Sequence, residues 1–119
     1  MPVLDVRTYE LEPGGLVALE RLFQEEVLPL LRAWGHDVAH CGGSPHDPDA
    51  FVLLRAYPDE ASRRASQDAF YGSADWREGP RNRMLALIRT YTSGVLPIEA
   101  AVLQAWRSGL AASTDGRNR

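Results

Sequence analysis

Apolar and polar residues alternate from Val3 to Leu11, with Leu4, Val6, Thr8 and Glu10 on one side and Val3, Asp5, Arg7, Tyr9 and Leu11 on the other. That period of two, stocked with β-favouring side chains, predicts a strand. Pro13-Gly14-Gly15 breaks it. From Leu16 the period lengthens. Leu19, Phe23, Val27, Leu30 and Trp34 recur at spacings of three and four, which predicts a helix burying one stripe. Pro29 interrupts that stripe by removing a backbone donor, so a kink or restart is expected near Leu28, and Gly35 marks the end.

A short second strand is expected over Asp37–Cys41, followed by a turn-rich hairpin loop from Gly42 to Asp49. Phe51–Tyr57 reads as a third strand. Asp59 is placed to cap a helix reaching about Tyr71, with Ala61, Ala65, Ala69 and Phe70 on one side. Gly72-Ser73 interrupts it, Ser73 caps a further turn through Trp76, and Pro80 opens a last helical piece through Met84, Leu85, Leu87 and Ile88. Tyr91–Leu96 makes a fourth strand. Ile98, Val102, Leu103, Trp106 and Leu110 can line an appended helix, and Ser113–Arg119 are expected to fray.

The order strand, helix, strand, strand, helix, strand predicts a ferredoxin-like α+β domain in residues 1–97, with residues 98–119 as a C-terminal extension. Its four-stranded antiparallel sheet carries helices on one face only. The other face is expected to hold Val3, Tyr9, Leu11, Phe51, Leu53 and Tyr57, mixed with Asp5, Arg7 and Arg55. At about 1.5–3 kcal/mol per large apolar side chain, leaving that face wet forfeits on the order of 10 kcal/mol. The expectation is therefore a twofold dimer, a dimeric α/β barrel, whose facing sheets enclose a cavity.

Composition narrows the class without naming a reaction. The 119 residues are 45% hydrophobic and 24% charged, the balance of a globular domain. All 13 basic residues are arginine and the net charge is −3. The absence of lysine reads as the coding bias of a GC-rich genome, and the interleaving of acids with arginines argues against nucleic acid as a partner. No apolar run is long enough for a membrane span, and the start lacks the order of a secretory signal, so no membrane partner and a cytoplasmic location are expected. The lone Cys41 reads as a small buried hydrophobe.

Arg7-Thr8-Tyr9 with Leu11, Pro13 and Gly14, together with Glu25-Glu26-Val27-Leu28-Pro29, Ala56-Tyr57-Pro58-Asp59 and Ser73-Ala74-Asp75-Trp76, resembles the NIPSNAP family over Val3 to Pro97. The resemblance implies a bacterial, homodimeric α/β-barrel protein of a family whose biochemical activity is poorly defined. Eukaryotic members are associated with mitochondria and with adaptor roles in vesicle traffic or mitophagy. The family pattern places a histidine and a tryptophan two residues apart in the third strand. Here Leu53 and Arg55 stand instead, which turns the cavity from aromatic toward cationic.

Arg7, Tyr9, Arg55 and Tyr57 share one parity on strands expected to be neighbours. They form a cavity for a small organic acid or aromatic ligand, or else Arg7 and Arg55 pair with Asp5 or with acids of a second copy. Trp76 either walls the mouth or anchors the broken helix. His40 and Tyr57 are the candidates for catalysis, as in the cofactor-independent monooxygenases and isomerases built on dimeric barrels. His36 and His40 lie four apart but lack an acid at ligand spacing, so no metal and no cofactor are expected. A binding protein, an enzyme and a protein-interaction adaptor using the C-terminal helix all remain open.

Overall fold

Strand β1 (Val3–Leu11) is the centre of the molecule. The computed structural model describes residues 1–115, with side chains up to residue 109. After β1 come α1 (Leu16–Leu22), a π-helical turn (Phe23–Val27) and α2 (Leu28–Ala33). A hairpin of β2 (Asp37–Gly43) and β3 (Ala50–Tyr57) follows. The chain continues through α3 (Glu60–Tyr71), α4 (Ala74–Arg77), α5 (Arg81–Leu87), β4 (Ile88–Pro97) and α6 (Ala100–Asp115). The sheet order is β2-β3-β1-β4 with every pairing antiparallel, the ferredoxin-like arrangement.

Pro29 acts one turn earlier than a simple kink. The Leu28 N–H bonds the Phe23 carbonyl, five residues back, so the helix takes an extra residue before restarting at Leu28. That residue rotates everything downstream. Leu28 and Leu31 complete the buried stripe begun by Leu19, Phe23 and Val27, while Leu30 is half-buried and Trp34 is 39% exposed. The helix then closes on Gly35, whose φ of +83° admits little else. The Gly35 N–H bonds Arg32 O and the His36 N–H bonds Leu31 O, a Schellman ending that turns His36 into the core.

The faces of the sheet are the reverse of the sequence expectation. Tyr9, Leu11, Phe51 and Leu53 pack under the helices with Leu19, Phe23, Phe70 and Trp76, and Asp5 and Arg55 lie among them with no exposed surface. The helix layer fills its space with the largest side chains, and the charges of the same parity follow them inward because α3 supplies their partners. The residues turned away are Leu4, Val6, Thr8, Val52 and Leu54, with Thr92 and Leu96 of β4 in register. In α3, Gln67 and Phe70 are buried, whereas Ala61, Ala65 and Ala69 are exposed.

Asp59 caps α3 by accepting from the Ser62 N–H at 2.7 Å, and Ser73 caps α4 by accepting from the Trp76 N–H at 3.2 Å. Helix α5 starts one residue after Pro80, and its Arg83 grips Glu26 of the π turn through two bonds of 2.5 and 2.6 Å. Ile88 belongs to β4, which is longer than expected, as is β2. Helix α6 begins after Ile98 and crosses to the far edge, where Arg107 pairs with Asp37 at 2.6 Å and Leu103 sits beside Ala56. It runs through Asp115 where fraying from Ser113 was expected; the Leu110 side chain and Gly116–Arg119 lie outside the described residues. Among the described residues no helix is long and apolar enough to cross a membrane.

Candidate functional site

The helices cover β2, β3 and β1 but stop short of β4. Between the sheet and α3–α5 this leaves a cleft of about 310 Å³. Its floor is Arg7 and Tyr9 of β1, its inner wall is Tyr71 and Trp76, and α5 contributes Arg81 and Met84. Tyr91 of β4 stands at the open side, paired in register with Tyr9, their rings 6.1 Å apart. Arg7 and Tyr9, expected to line a cavity between two facing sheets, line instead a cleft within one chain, on the helical side.

Three arginine–tyrosine contacts organise it. Arg7 donates from Nε to Ser93 Oγ at 2.9 Å and from Nη1 to the Tyr71 hydroxyl at 3.2 Å. Its guanidinium also lies 4.8 Å from the centre of the Tyr91 ring and 5.5 Å from that of Tyr71, within cation–π range of both. Arg55, fully buried beneath, donates from Nη1 to the same Tyr71 hydroxyl at 2.9 Å. Among the described residues no carboxylate lies within ion-pair distance of Arg7 or Arg81, whereas Arg55 has Asp5 at 3.8 Å. Burial, followed by the neighbouring Tyr71, pushes the Tyr9 hydroxyl well above its ordinary range, so that it keeps its proton.

Behind the cleft a polar chain crosses the core. Asp5 Oδ2 accepts from Gln67 Nε2 at 2.8 Å and from Arg63 Nη1 at 3.1 Å. Gln67 Nε2 also reaches the Tyr57 hydroxyl at 3.3 Å, and Tyr57 lies 2.8 Å from His36 Nδ1. Burial, aided by the positive field of Arg55, holds the His36 pKa down to about 4. The same burial pushes the Tyr57 hydroxyl up.

The residues singled out in the sequence thus part company. Arg7 and Tyr9 line the cleft, and Arg55 supports it from below. The arginine pair divides: Arg7 faces the cleft while Arg55 meets Asp5. Trp76 both walls the cleft and anchors α4, its ring packed on Phe70 and Tyr71. Tyr57 points along the same face but into the polar chain, away from the cleft. His40 sits exposed on the opposite face of edge strand β2, opposite Leu54, so it shares no space with the other candidates. Cys41 packs against the core, where burial pushes its thiol up. Among the described residues no group of three or more His, Cys, Asp or Glu is placed to hold a metal ion.

Tyr71, Ser93 and Tyr91 were not singled out in the sequence. Tyr91 was findable, because an antiparallel β1–β4 pairing centred on the tyrosines brings it beside Tyr9. Tyr71 carried no signal beyond closing a helix ahead of Gly72.

The fold and cleft define a single-sheet α+β domain of the ferredoxin-like class. No protein-family model matches the chain, and a search of curated proteins finds no relative. Solved structures do match. An uncharacterized NIPSNAP domain protein from Burkholderia xenovorans superposes with a TM-score of 0.74 at 19% identity, over 82% of this chain and 95% of that one. A NIPSNAP-like domain protein from the same organism gives 0.76 at 19%, over 83% and 86%. A nipsnap family protein of unknown function from Agrobacterium tumefaciens gives 0.76 at 16%, over 86% and 93%. The chain has the fold of these NIPSNAP proteins, the family its own sequence resembles.

Proposed function

We propose that this chain is a NIPSNAP-like homodimeric protein that binds a small aromatic organic acid in the cleft between its sheet and α3–α5. One observation carries the reading: Arg7, a cation with no carboxylate partner among the described residues, is held against two tyrosine rings in a cleft of about 310 Å³. That volume suits a ligand of one or two rings. Arginine beside aromatic walls matches a flat anion, offering its remaining N–H groups to the carboxylate while the ring stacks. None of the lining residues is a carboxylate or an imidazole, so the cleft has no obvious proton-abstracting base, and binding is favoured over catalysis.

The homodimer is supported by the sheet face turned away from the helices. Val6, Val52 and Leu54 make it apolar on its central strands and Leu96 on edge strand β4, and α6 reaches across only one end. A thermal-shift series with benzoate, cyclohexanol and acetate tests the ligand class. Benzoate is expected to raise the melting temperature most, because only a ligand selective for the native state stabilises it. Equal silence from all three would remove the reading.

A further inference from the structure

We propose that the cleft takes its ligand as an aromatic oxyanion: a phenol-type hydroxyl docks on Tyr71 and gives up its proton on binding. The inference rests on the cleft reading above and deepens it to a ligand class. Tyr71 accepts from both Arg55 Nη1 and Arg7 Nη1. A phenol oxygen that accepts two hydrogen bonds has only its single O–H left, so Tyr71 offers the cleft a donor and nothing else.

The charges behind it are under-compensated. Arg55 is wholly buried, yet its Nε and Nη2 find no hydrogen-bond partner. Its nearest acid, Asp5, stays 3.8 Å away and is shared with Arg63 and Gln67. Two guanidiniums therefore place their field on one phenol with less than one carboxylate between them. A hydrogen bond from such a donor strongly favours an ionised acceptor.

The rest of the lining agrees. Arg7, Arg81 and the Trp76 indole are donors only, while the Tyr9 and Tyr91 hydroxyls both donate and accept. Toward the guanidiniums of Arg7 and Arg81 an oxyanion is a stronger acceptor than a neutral hydroxyl. In the step itself the ligand O–H bond breaks and its electron pair stays on oxygen, which accepts the Tyr71 O–H. The proton leaves to buffer through the open side, where Tyr91 is 54% and Leu85 46% exposed. No co-reactant is needed.

The test uses 4-nitrophenol, whose ionised form absorbs in the visible, with benzoate and nitrobenzene as comparators, all at a pH well below the probe's own ionisation. Binding to the full chain is expected to bring up the phenolate band and release protons, read by calorimetry in two buffers. The probe's apparent pKa should fall by about one unit or more, a tenfold preference for the oxyanion. Tyr71→Phe should leave any bound nitrophenol protonated, with its visible phenolate band absent. Nitrophenol bound in its neutral form by the native chain overturns the inference, and so does benzoate binding without nitrophenol binding; both leave the cleft reading standing. If neither benzoate nor nitrophenol binds, the cleft reading falls and takes the oxyanion with it. The spectral measurement on the unmutated chain decides the matter even if Tyr71→Phe fails to fold.

Discussion

Asp5 and Arg55 stand opposite one another in the β1–β3 pairing and, although both are wholly buried, approach no closer than 3.8 Å. Asp5 accepts its short hydrogen bonds from α3 instead, from Gln67 and Arg63, while Arg55 donates its shortest to Tyr71. The pair thus ties the sheet to α3 at two points, Arg63 and Gln67 in its middle and Tyr71 at its end, and Tyr71 is held in the cleft as a consequence.

Removing one member should therefore cost far more than removing both. Asp5→Ala leaves Arg55 buried without its acid and is expected to destabilise the fold by about 3–5 kcal/mol. Asp5→Leu with Arg55→Met should recover most of that loss, because two well-packed apolar side chains escape the desolvation of a buried ion pair. Urea denaturation of the two variants checks this. Equal losses would show that the charges matter singly.

Arg7 should behave differently, since it is only half-buried and ties down no acid. Arg7→Met is expected to leave the unfolding midpoint nearly unchanged while weakening benzoate by about tenfold or more, the scale of a lost hydrogen bond to a charged group. Parallel calorimetry and thermal melts separate the two effects. A variant that binds as well as the native chain would move the anion site to Arg81.

Much of the fold was legible because its signals are local. The change of period after Pro13, the caps Asp59 and Ser73 and the terminator Gly35 each act within a few residues, and the elements fall where they predict. The side of the sheet that each parity faces is not a local property. Asp5, Arg7 and Arg55 were expected on the open face, and only the partners on α3, some 60 residues away in the case of Asp5 and Gln67, make them suited to the covered one. Helical phase failed for a related reason: one inserted residue at the π turn exchanged Leu30 and Trp34 for Leu28 and Leu31. The equal parity of Arg7, Tyr9 and Arg55 was readable, but their meeting point at Tyr71 depends on where α3 ends over the sheet.

Stability should fall on the acid side through His36. Its folded-state pKa of about 4 lies below the ordinary 6.5, so the unfolded chain takes up this proton first as pH drops. Stability from this group is full above about pH 6.5 and is lost progressively toward pH 4, by up to about 3 kcal/mol for a shift of this size. Below that the contribution is flat. His36→Gln keeps a partner for Tyr57 without a titrating ring, and its denaturation midpoint should change less with pH across that window than the native chain's. Identical pH profiles would place the acid sensitivity elsewhere.

The unhelical face of the sheet sets the last expectation. Val6 and Leu54 pair directly on it, flanked by Thr8 and Val52, and both are half-buried in the isolated chain. A stable twofold interface needs roughly 800 Å² from each copy, which the part of this face beyond α6 must supply. Leu54→Asp would set a charge from each copy into the apolar part of such an interface, where desolvation opposes it. Light scattering at micromolar concentration should then give twice the chain mass for the native protein and the chain mass for the variant, with unchanged circular dichroism. Because the cleft belongs to the other side of the sheet, the monomeric variant should bind benzoate with near-native affinity. A native protein that is already monomeric would refute the homodimer while leaving the cleft intact, and loss of binding in a folded monomer would mean that the second copy helps to close the site.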